Sequence, residues 1–176
     1  MGDTKTIIAD TVDNLRRVLQ AIHEYSKKAE YATGLTGPQL WAIKVIAERG
    51  AICVSDLAAR MYLHAATVIG ILDRLEKRGL ITRLRTRSDR RFVVIELSKQ
   101  GKLLVEQSPE VAQGIIVKGL EELPVKTLET ISRGLEKMVD LLGATAIPPR
   151  MMLSPEVNAP ARKPGGRPRT QKEAGV

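Results

Sequence analysis

Apolar residues recur at helical spacing near both ends of the chain. Between Ile8 and Ile22 they follow one another at steps of three and four, with aspartate and arginine residues between them, which predicts an amphipathic helix. A second series runs from Leu128 to Leu142 in alternating steps of three and four, the spacing of a heptad seam. The main apolar positions of the two series are Ile8, Val12, Leu15, Leu19, Leu128, Ile131, Leu135, Met138 and Leu142.

These amphipathic segments have two interpretations. They can pack within one body, or they can form the interface of a dimer. Three long helices are predicted at the two chain ends, and they are too many to cover the small unit between them. This excess of apolar helix surface favours the dimer interface.

The middle of the chain predicts shorter helices. Thr36 and Pro38 are residues that start a helix, and Ser55 is predicted to cap a short one over 56–62. Another helix is predicted over 65–78, with a glycine directly after it in the usual left-handed stop position. Two short helices with a tight connection are a candidate helix-turn-helix.

Segments 80–86 and 92–97 alternate apolar and polar residues and are rich in Ile, Val and Phe, which predicts the two strands of a hairpin. Ser98 is predicted to cap the next helix, which Pro109 interrupts. A hairpin that follows a helix-turn-helix is a wing. The predicted fold class is mainly α with a small β-hairpin wing: a winged helix-turn-helix plus a helical dimerisation region from both chain ends.

From Pro148 onward, prolines, glycines and basic residues replace the apolar periodicity, so this tail is predicted to be disordered by itself. The predicted domains are an N-terminal dimerisation helix in 1–34, a winged helix-turn-helix lobe in 35–100, C-terminal dimerisation helices in 101–147 and a basic tail in 148–176.

The charge is concentrated in the predicted wing. The chain has a net charge of +8, and residues 77–102 alone hold nine basic and two acidic residues, a net charge of +7. Such a patch suits nucleic acid or an anionic surface. A single cysteine and the lack of an apolar signal-peptide core or membrane-spanning segment lead us to expect a cytoplasmic protein.

The helix predicted over 65–78 has two stripes of opposite character. Residues that we expect to face the core are Val68, Leu72 and Leu75. The opposite stripe carries a hydroxyl, a residue without a side chain and two cations: Thr67, Gly70, Arg74 and Lys77. This composition allows close approach to a groove floor and phosphate contacts further along, although a merely solvated face has a similar composition.

The predicted tip of the wing, RTRSDRRF, contains Arg85, Arg87, Asp89, Arg90 and Arg91. Asp89 and Arg91 are two residues apart, so in an extended strand they share a face and can form a bidentate ion pair. We therefore predict that Asp89 orients Arg91 as a minor-groove probe, while Arg90 contacts phosphate. The alternative is that Asp89 only forms the turn.

At this point three runs of sequence resemble the MarR family of winged-helix transcriptional regulators. They are LTGPQLWAIKVIAERG (35–50), VSDLAARMYLHAATVIGILDRLEKRGLI (54–81) and SDRRFVVIELSKQG (88–101). The most specific pieces are DRLEKRGLI at 73–81 and the wing pattern of Asp89, Arg91, Ile95 and Leu97 followed by LSxxG. The resemblance covers about residues 8–143.

The resemblance implies a homodimer that binds a pseudo-palindromic operator in double-stranded DNA and commonly represses transcription. It also implies a small effector, often an aromatic or phenolic anion, bound between the dimer region and the DNA-binding lobe. Residues that could line such a site are Tyr25, Tyr31 and Trp41, each of which could instead be core. The predicted DNA-binding residues also include Ser55, His64, Ala65 and Ala66.

Two features depart from the family pattern. The start of the recognition helix has few hydrogen-bonding side chains, so base contacts there rest on His64, Thr67 and alanine contacts with thymine methyl groups. Some relatives sense oxidants through a cysteine near the start of the first helix, where this chain has none. Cys53 lies in the apolar stretch AICV, and we expect it to be buried packing.

The tail contains KPGGRPR (163–169), which is similar to an AT-hook, whose Gly-Arg-Pro core lies in A·T-rich minor grooves. Arg167 and Arg169 are its predicted DNA contacts, but Gly165 stands where an arginine is usual. The alternative is a tail without a binding role.

The predicted function is therefore a dimeric, sequence-specific DNA-binding regulator, most simply a repressor released by a ligand. The alternative is a winged-helix interaction module that binds an acidic protein or a membrane surface. We predict no enzyme, cofactor or metal site, because the sequence has no paired catalytic acids, phosphate-binding loop or metal-ligand cluster.

Overall fold

The computed structural model of the chain describes residues 3–85 and 93–147, and of Arg85 it describes the backbone alone. Most of the predicted wing tip, with Arg87, Asp89, Arg90 and Arg91, lies outside these described residues. So does the tail with Arg167 and Arg169. Predictions about these residues therefore stay predictions.

Within the described residues the chain forms seven helices and three strands, and the fold is mainly α, as predicted. In chain order they are α1 (Thr4–Thr33), α2 (Gly37–Arg49), β1 (Ile52–Cys53), α3 (Val54–Arg60), α4 (Ala65–Lys77), β2 (Ile81–Arg85), β3 (Val93–Leu97), α5 (Lys99–Glu106), α6 (Ala112–Glu121) and α7 (Val125–Leu141).

The three strands form one antiparallel sheet in the order β1-β3-β2. β2 and β3 are the predicted hairpin, with Ile81 opposite Leu97 and Arg85 opposite Val93. The sequence did not predict β1, which has two residues and pairs Ile52 with Ile95. So short a strand shows no alternation, and its partner lies far away along the chain.

Helix α2 lies at the centre of the core. It packs against α1, α3, α4, α5, α6 and β3, and most of its residues are buried. The largest fully buried side chains of the core come from α2, α3, α4, the sheet and the loops between them: Leu35, Leu40, Ile43, Ile46, Leu57, Met61, Ile71, Leu72, Leu75, Leu80, Ile81 and Ile95. The lobe around α2 therefore has a complete hydrophobic core formed within one chain.

Local signals stop and start most helices as expected. Gly34 ends α1 with a φ of 64°, and Gly79 follows α4 with a φ of 68°. Thr36 precedes α2, and the backbone N–H of Thr36 donates a hydrogen bond to the Gln39 side chain at 3.2 Å. The hydroxyl of Ser98 accepts the Gly101 N–H at 3.0 Å and so caps α5, as predicted.

Two sequence predictions near α3 are wrong. Ser55 does not cap this helix: Cys53 is the cap residue, because β1 leaves the backbone extended there (φ −86°, ψ 165°) and the helix begins directly at Val54. Cys53 is also half-exposed rather than buried, and its Sγ lies 2.9 Å from Ser55 Oγ. The second residue of a two-residue edge strand has too few neighbours to be covered.

Candidate nucleic-acid interface

The recognition helix α4 presents the two predicted faces. Val68, Leu72 and Leu75 are each 0% exposed, so the inner stripe is core. On the outer stripe Thr67 and Gly70 are half-buried and Lys77 is exposed. Apart from the adjoining backbone of the helix itself, no heavy atom of the described residues lies within 4 Å of the position that a Cβ on Gly70 would occupy. The helix therefore has an open outer surface over which another backbone could approach closely.

The start of α4 is also open to solvent. His64 is its extended cap residue (φ −70°, ψ 142°), and its carbonyl oxygen accepts hydrogen bonds from Thr67 at 3.0 Å and Val68 at 3.2 Å. The side chains of His64, Ala65 and Ala66 are exposed, as is that of Ser55 on α3. No acidic residue lies in the first turn of α4, so the positive end of the helix dipole there is uncompensated.

Cations follow toward the end of α4. Arg74 is half-buried, and its Nη1 donates to the Gly70 carbonyl oxygen at 3.3 Å. Arg74 and Lys77 line a pocket of about 310 Å³ at the start of α2, whose lining also includes Glu30 and Arg78, and the guanidinium of Arg78 is bound to the end of α1. This end of the helix is positively charged.

An ion-pair cluster joins the base of the wing to the recognition helix. Arg83 on β2 is 2.7 Å from Asp73 through Nη2 and 3.2 Å from Glu76 through Nη1. Asp73 and Glu76 lie one turn apart on α4, so one guanidinium contacts both carboxylates. The cluster fixes the hairpin against the helix and compensates the two acids of α4.

Sequence reasoning did not identify this cluster. Its only signal is the pair of acids three residues apart in DRLEKRGLITR with an arginine at the end. That pattern becomes informative only once the turn at Gly79 is known to fold β2 back along α4. Arg85, at the end of β2, is placed by its backbone pairing with Val93.

A second cavity lies between α2 and α6. This cleft of about 720 Å³ is lined by Trp41, which is 7% exposed, and by charged residues of both signs, among them Lys44, Arg60, Glu110, Lys118 and Glu121. Tyr25 and Tyr31 are on α1, where Tyr31 is 96% exposed, and neither lines the cleft. The three aromatic residues predicted for an effector site are therefore not brought together.

Two polar links involve residues that line this cleft. Lys44 Nζ on α2 is 3.1 Å from Glu110 Oε1, just before α6. The Tyr62 hydroxyl, between α3 and α4, donates to Glu121 Oε1 at 3.0 Å. The hydrogen bond to the Glu121 carboxylate and its negative charge raise the pKa of Tyr62 above its usual value.

Outside the lobe, α1 and α7 leave their apolar stripes uncovered. No residue of α7 is buried, and on α1 only Ile22 and Ala29 are. The predicted dimer positions that are exposed by more than a third of their surface are Ile8, Val12, Leu15, Leu19, Ile131, Leu135 and Leu142, while Leu128 and Met138 are half-buried.

Residues 3–85 and 93–147 contain neither a metal-ligand cluster nor a membrane-spanning helix. No group of three or more His, Cys, Asp or Glu side chains is arranged to hold a metal ion. No helix in these ranges is long and apolar enough to cross a membrane.

Comparison with known proteins agrees with this architecture. Residues 35–93 match the model of the MarR family. The organic hydroperoxide resistance transcriptional regulator of Bacillus subtilis is 31% identical over 108 residues, 61% of this chain and 72% of the relative. The crystal structure of a MepR-like protein complexed with pseudoligands is 30% identical, with a TM-score of 0.50 over 81% of this chain and 97% of that one.

A mutant MarR from E. coli, crystallised with operator DNA, is 21% identical and has the same fold, with a TM-score of 0.51 over 78% of this chain and 99% of that one. The lobe that carries α4 and the hairpin is thus a winged helix-turn-helix. Sequence and fold agree, and the chain belongs to the MarR family of transcriptional regulators, which bind DNA.

Proposed function

We propose that the protein is a homodimeric, sequence-specific repressor that a small ligand releases from its operator. The observation that carries this proposal is the recognition helix: its outer stripe is open at Gly70, its N-terminus is uncompensated and its far end is cationic. This sequence of surfaces along α4 fits DNA: the open stripe suits the floor of a groove, and the cationic end suits the flanking phosphates.

The apolar stripes of α1 and α7 support a dimer. A soluble surface seldom leaves so many large aliphatic side chains together in contact with water. Packing against a second copy would remove both stripes from solvent, with Leu15 and Leu135 among the buried side chains. A two-fold dimer would present two recognition helices to half-sites about one helical turn, roughly 34 Å, apart.

The proposed division of DNA contacts follows the geometry of α4. Residues near its start would face base edges: Ser55, His64, Ala65, Ala66, Thr67 and Gly70. Arg74 and Lys77 would contact phosphate. The wing would extend this surface toward the minor groove through Arg85, Arg87, Arg90 and Arg91, with Asp89 orienting Arg91.

The cleft beside Trp41 is the proposed effector site. Its volume of about 720 Å³ is in the range of small-molecule pockets, and it combines an indole with cations and carboxylates in equal number, which suits an aromatic ligand that carries polar groups. It lies between the lobe and α6, so an occupant would contact both parts. Tyr25 and Tyr31 would have to act from elsewhere or from the partner copy.

Two further parts of the proposal come from sequence and family alone. The basic tail with Arg167 and Arg169 would add binding at A·T-rich flanks, and deletion after Ala146 should then weaken binding and flatten its salt dependence. Unchanged affinity and salt slope would contradict this role. We also propose a cytoplasmic location and no catalytic activity, as a regulator of transcription requires.

The test is selection of bound duplexes from a random DNA library with the full-length protein, followed by affinity measurement on the enriched sequence. We expect a pseudo-palindrome, and we expect Asp89→Ala to weaken binding although it makes the protein more positive. Tighter binding by this variant would indicate a purely electrostatic wing. No enrichment, with binding to anionic vesicles instead, would support the alternative of an interaction module and overturn the proposal.

A further inference from the structure

Each end of the recognition helix α4 has a polar contact with the helices outside the lobe core. Tyr62 precedes α4 and reaches α6, and Arg78 follows α4 and reaches α1. Both contacts join residues far apart in sequence, 59 positions for Tyr62 to Glu121 and 44 for Arg78 to Gly34. We call α1, α6 and α7 the arm.

The contact at the start of α4 requires an unusual backbone. Tyr62 has a φ of 51° and is the one non-glycine residue with a positive φ in the described ranges. A bulky side chain rarely occupies this left-handed region, where glycine would fit without strain. The tyrosine is also 68% exposed, so burial in the core does not explain it. What its side chain does is place a hydroxyl 3.0 Å from Glu121 Oε1 at the end of α6.

The contact at the end of α4 uses the end of another helix. Arg78 donates from Nη1 to the Gly34 carbonyl oxygen at 2.5 Å and from Nη2 to the Thr33 carbonyl oxygen at 3.3 Å. The last carbonyls of α1 have no partner within their helix and carry the negative end of its dipole. A guanidinium suits this position because it is planar, always charged and able to donate twice.

Helix α2 links the recognition helix to the arm, because it packs against α1 and α6 and also against α4. The Tyr62–Glu121 and Arg78–Gly34 contacts add a direct link from each end of α4 to the arm. A change in the tilt of α4 on the arm would disturb these two contacts. The Lys44–Glu110 pair, in contrast, joins α2 to a residue just before α6 and touches neither end of α4.

We propose that Tyr62 and Arg78 are positioning residues that set the angle of the recognition helix on the arm and thereby the half-site spacing that the dimer accepts. The inference rests on the proposed function, since spacing has meaning only for a dimer with two recognition helices. Neither residue needs to touch DNA. Loss of the contacts leaves each lobe able to bind its half-site and removes the selection for one distance between half-sites.

The experiment uses the full-length protein and duplexes that carry two copies of the half-site enriched by the wild type. The centre-to-centre spacing is varied one base pair at a time, and a duplex with a single half-site measures the affinity of one lobe. The variants are Tyr62→Phe, which removes only the hydroxyl, Arg78→Met and the double variant, with Arg78→Lys as the conservative replacement. Matched controls are Tyr31→Phe on the exposed surface of α1 and Lys137→Met, which removes an exposed ion pair within α7 and touches neither end of α4.

For the double variant we expect the ratio of affinities at the best and the neighbouring spacings to fall at least about fivefold, the lower end of typical coupling effects. Affinity for the single half-site should stay within about twofold, inside the usual scatter of distant substitutions. Arg78→Lys should restore part of the ratio, and both controls should keep the wild-type profile.

Three results would overturn the inference. One is an unchanged spacing profile in Tyr62→Phe and in the double variant. Another is an equal loss of affinity for the single half-site, which would make these residues direct DNA contacts. The third is the same broadening in Tyr31→Phe or Lys137→Met. If the wild type itself enriches no DNA, the proposed function fails first, and the two failures are thus distinguishable.

Discussion

The lobe and the arm of this protein treat their apolar side chains in opposite ways. In the lobe, Leu40, Leu72 and Ile95 are each 0% exposed, and the core is closed within one chain. On the arm, Leu19, Leu135 and Leu142 are between 56% and 77% exposed although they are just as regularly spaced. The same periodicity therefore accompanies a closed core in one region and an uncovered apolar surface in the other.

The largest expected effect comes from placing a charge on the arm. Leu135→Lys should prevent two arms from packing, because the ammonium would have to be buried without a partner. Loss of one of two linked binding events should weaken affinity for a two-half-site duplex by about a hundredfold or more. Sedimentation velocity measures the loss of the dimer, and fluorescence anisotropy measures the loss of affinity for DNA.

Leu103→Lys is the matched control for that substitution, since Leu103 is 59% exposed on α5, a helix that packs against α2 and β3 and is not part of the arm. This variant should leave unchanged both the mass of the assembly in solution and its affinity for the two-half-site duplex. A dimer that survives Leu135→Lys would show that the arm stripe is not the interface.

Within the lobe, we expect substitution of a core residue to lower the stability of the fold. Leu72→Ala removes a side chain that is 0% exposed, and the free energy of unfolding should fall by about 2–5 kcal/mol. Urea denaturation followed by circular dichroism measures it. Leu84→Ala on β2, where the leucine is 48% exposed, should change stability by no more than about 0.5 kcal/mol. Equal losses in the two variants would contradict the described core.

Gly70→Ala should separate stability from DNA binding. The added methyl group meets open space, and alanine in place of a mid-helix glycine should stabilise the fold by roughly 0.5–1 kcal/mol. If a groove floor approaches this point, the same methyl group should weaken DNA binding. Gly119→Ala on α6, also in open space, should give the stabilisation alone. A Gly70 variant that is more stable and binds as tightly would place DNA elsewhere.

The smallest effect is a titration. Glu121 raises the pKa of Tyr62 above the usual value of 10.0, because its carboxylate accepts a hydrogen bond from the hydroxyl and because ionisation would place two negative charges side by side. The contact is thus present below pH 10 and is lost as the pH rises through the raised pKa. Tyrosinate absorbance should show the late titration in the wild type, and Glu121→Gln should return it toward its usual range. No change in that variant would show that the contact does not form in solution.

Those parts of the fold with strong local signals were predictable from the sequence. The hairpin alternates over both strands, and α4 combines a buried stripe with a glycine stop, so strands 81–85 and 93–97 and helix 65–77 lie where the pattern indicates. Ser98 caps α5 because it stands between the strand pattern and the helix pattern, and serine is a preferred residue at the start of a helix. Local chemistry decides these elements, and tertiary packing agrees with it.

The features that sequence reasoning missed depend on distant partners. β1 exists because β3 lies beside it, and the serine at position 55 lost its predicted capping role when that strand placed Cys53 at the helix start. Arg83 contacts Asp73 only because the turn after α4 folds β2 back along the helix. Tyr62 contacts Glu121 only because the end of α6 lies close to the residues that precede α4. No spacing rule links such residues before the fold is known.

Ser98 holds both ends of the wing together. Its hydroxyl donates to the Gly79 carbonyl oxygen at 2.6 Å, and its N–H donates to the Leu80 carbonyl oxygen at 3.0 Å, so the segment between them is a loop closed at its base. The entropic cost of such a loop grows slowly, by only about 0.6 kcal/mol for each doubling of its length. A change in the length of the wing should therefore cost the lobe little stability, because the closure at Ser98 leaves the packing of α4 against the core unchanged.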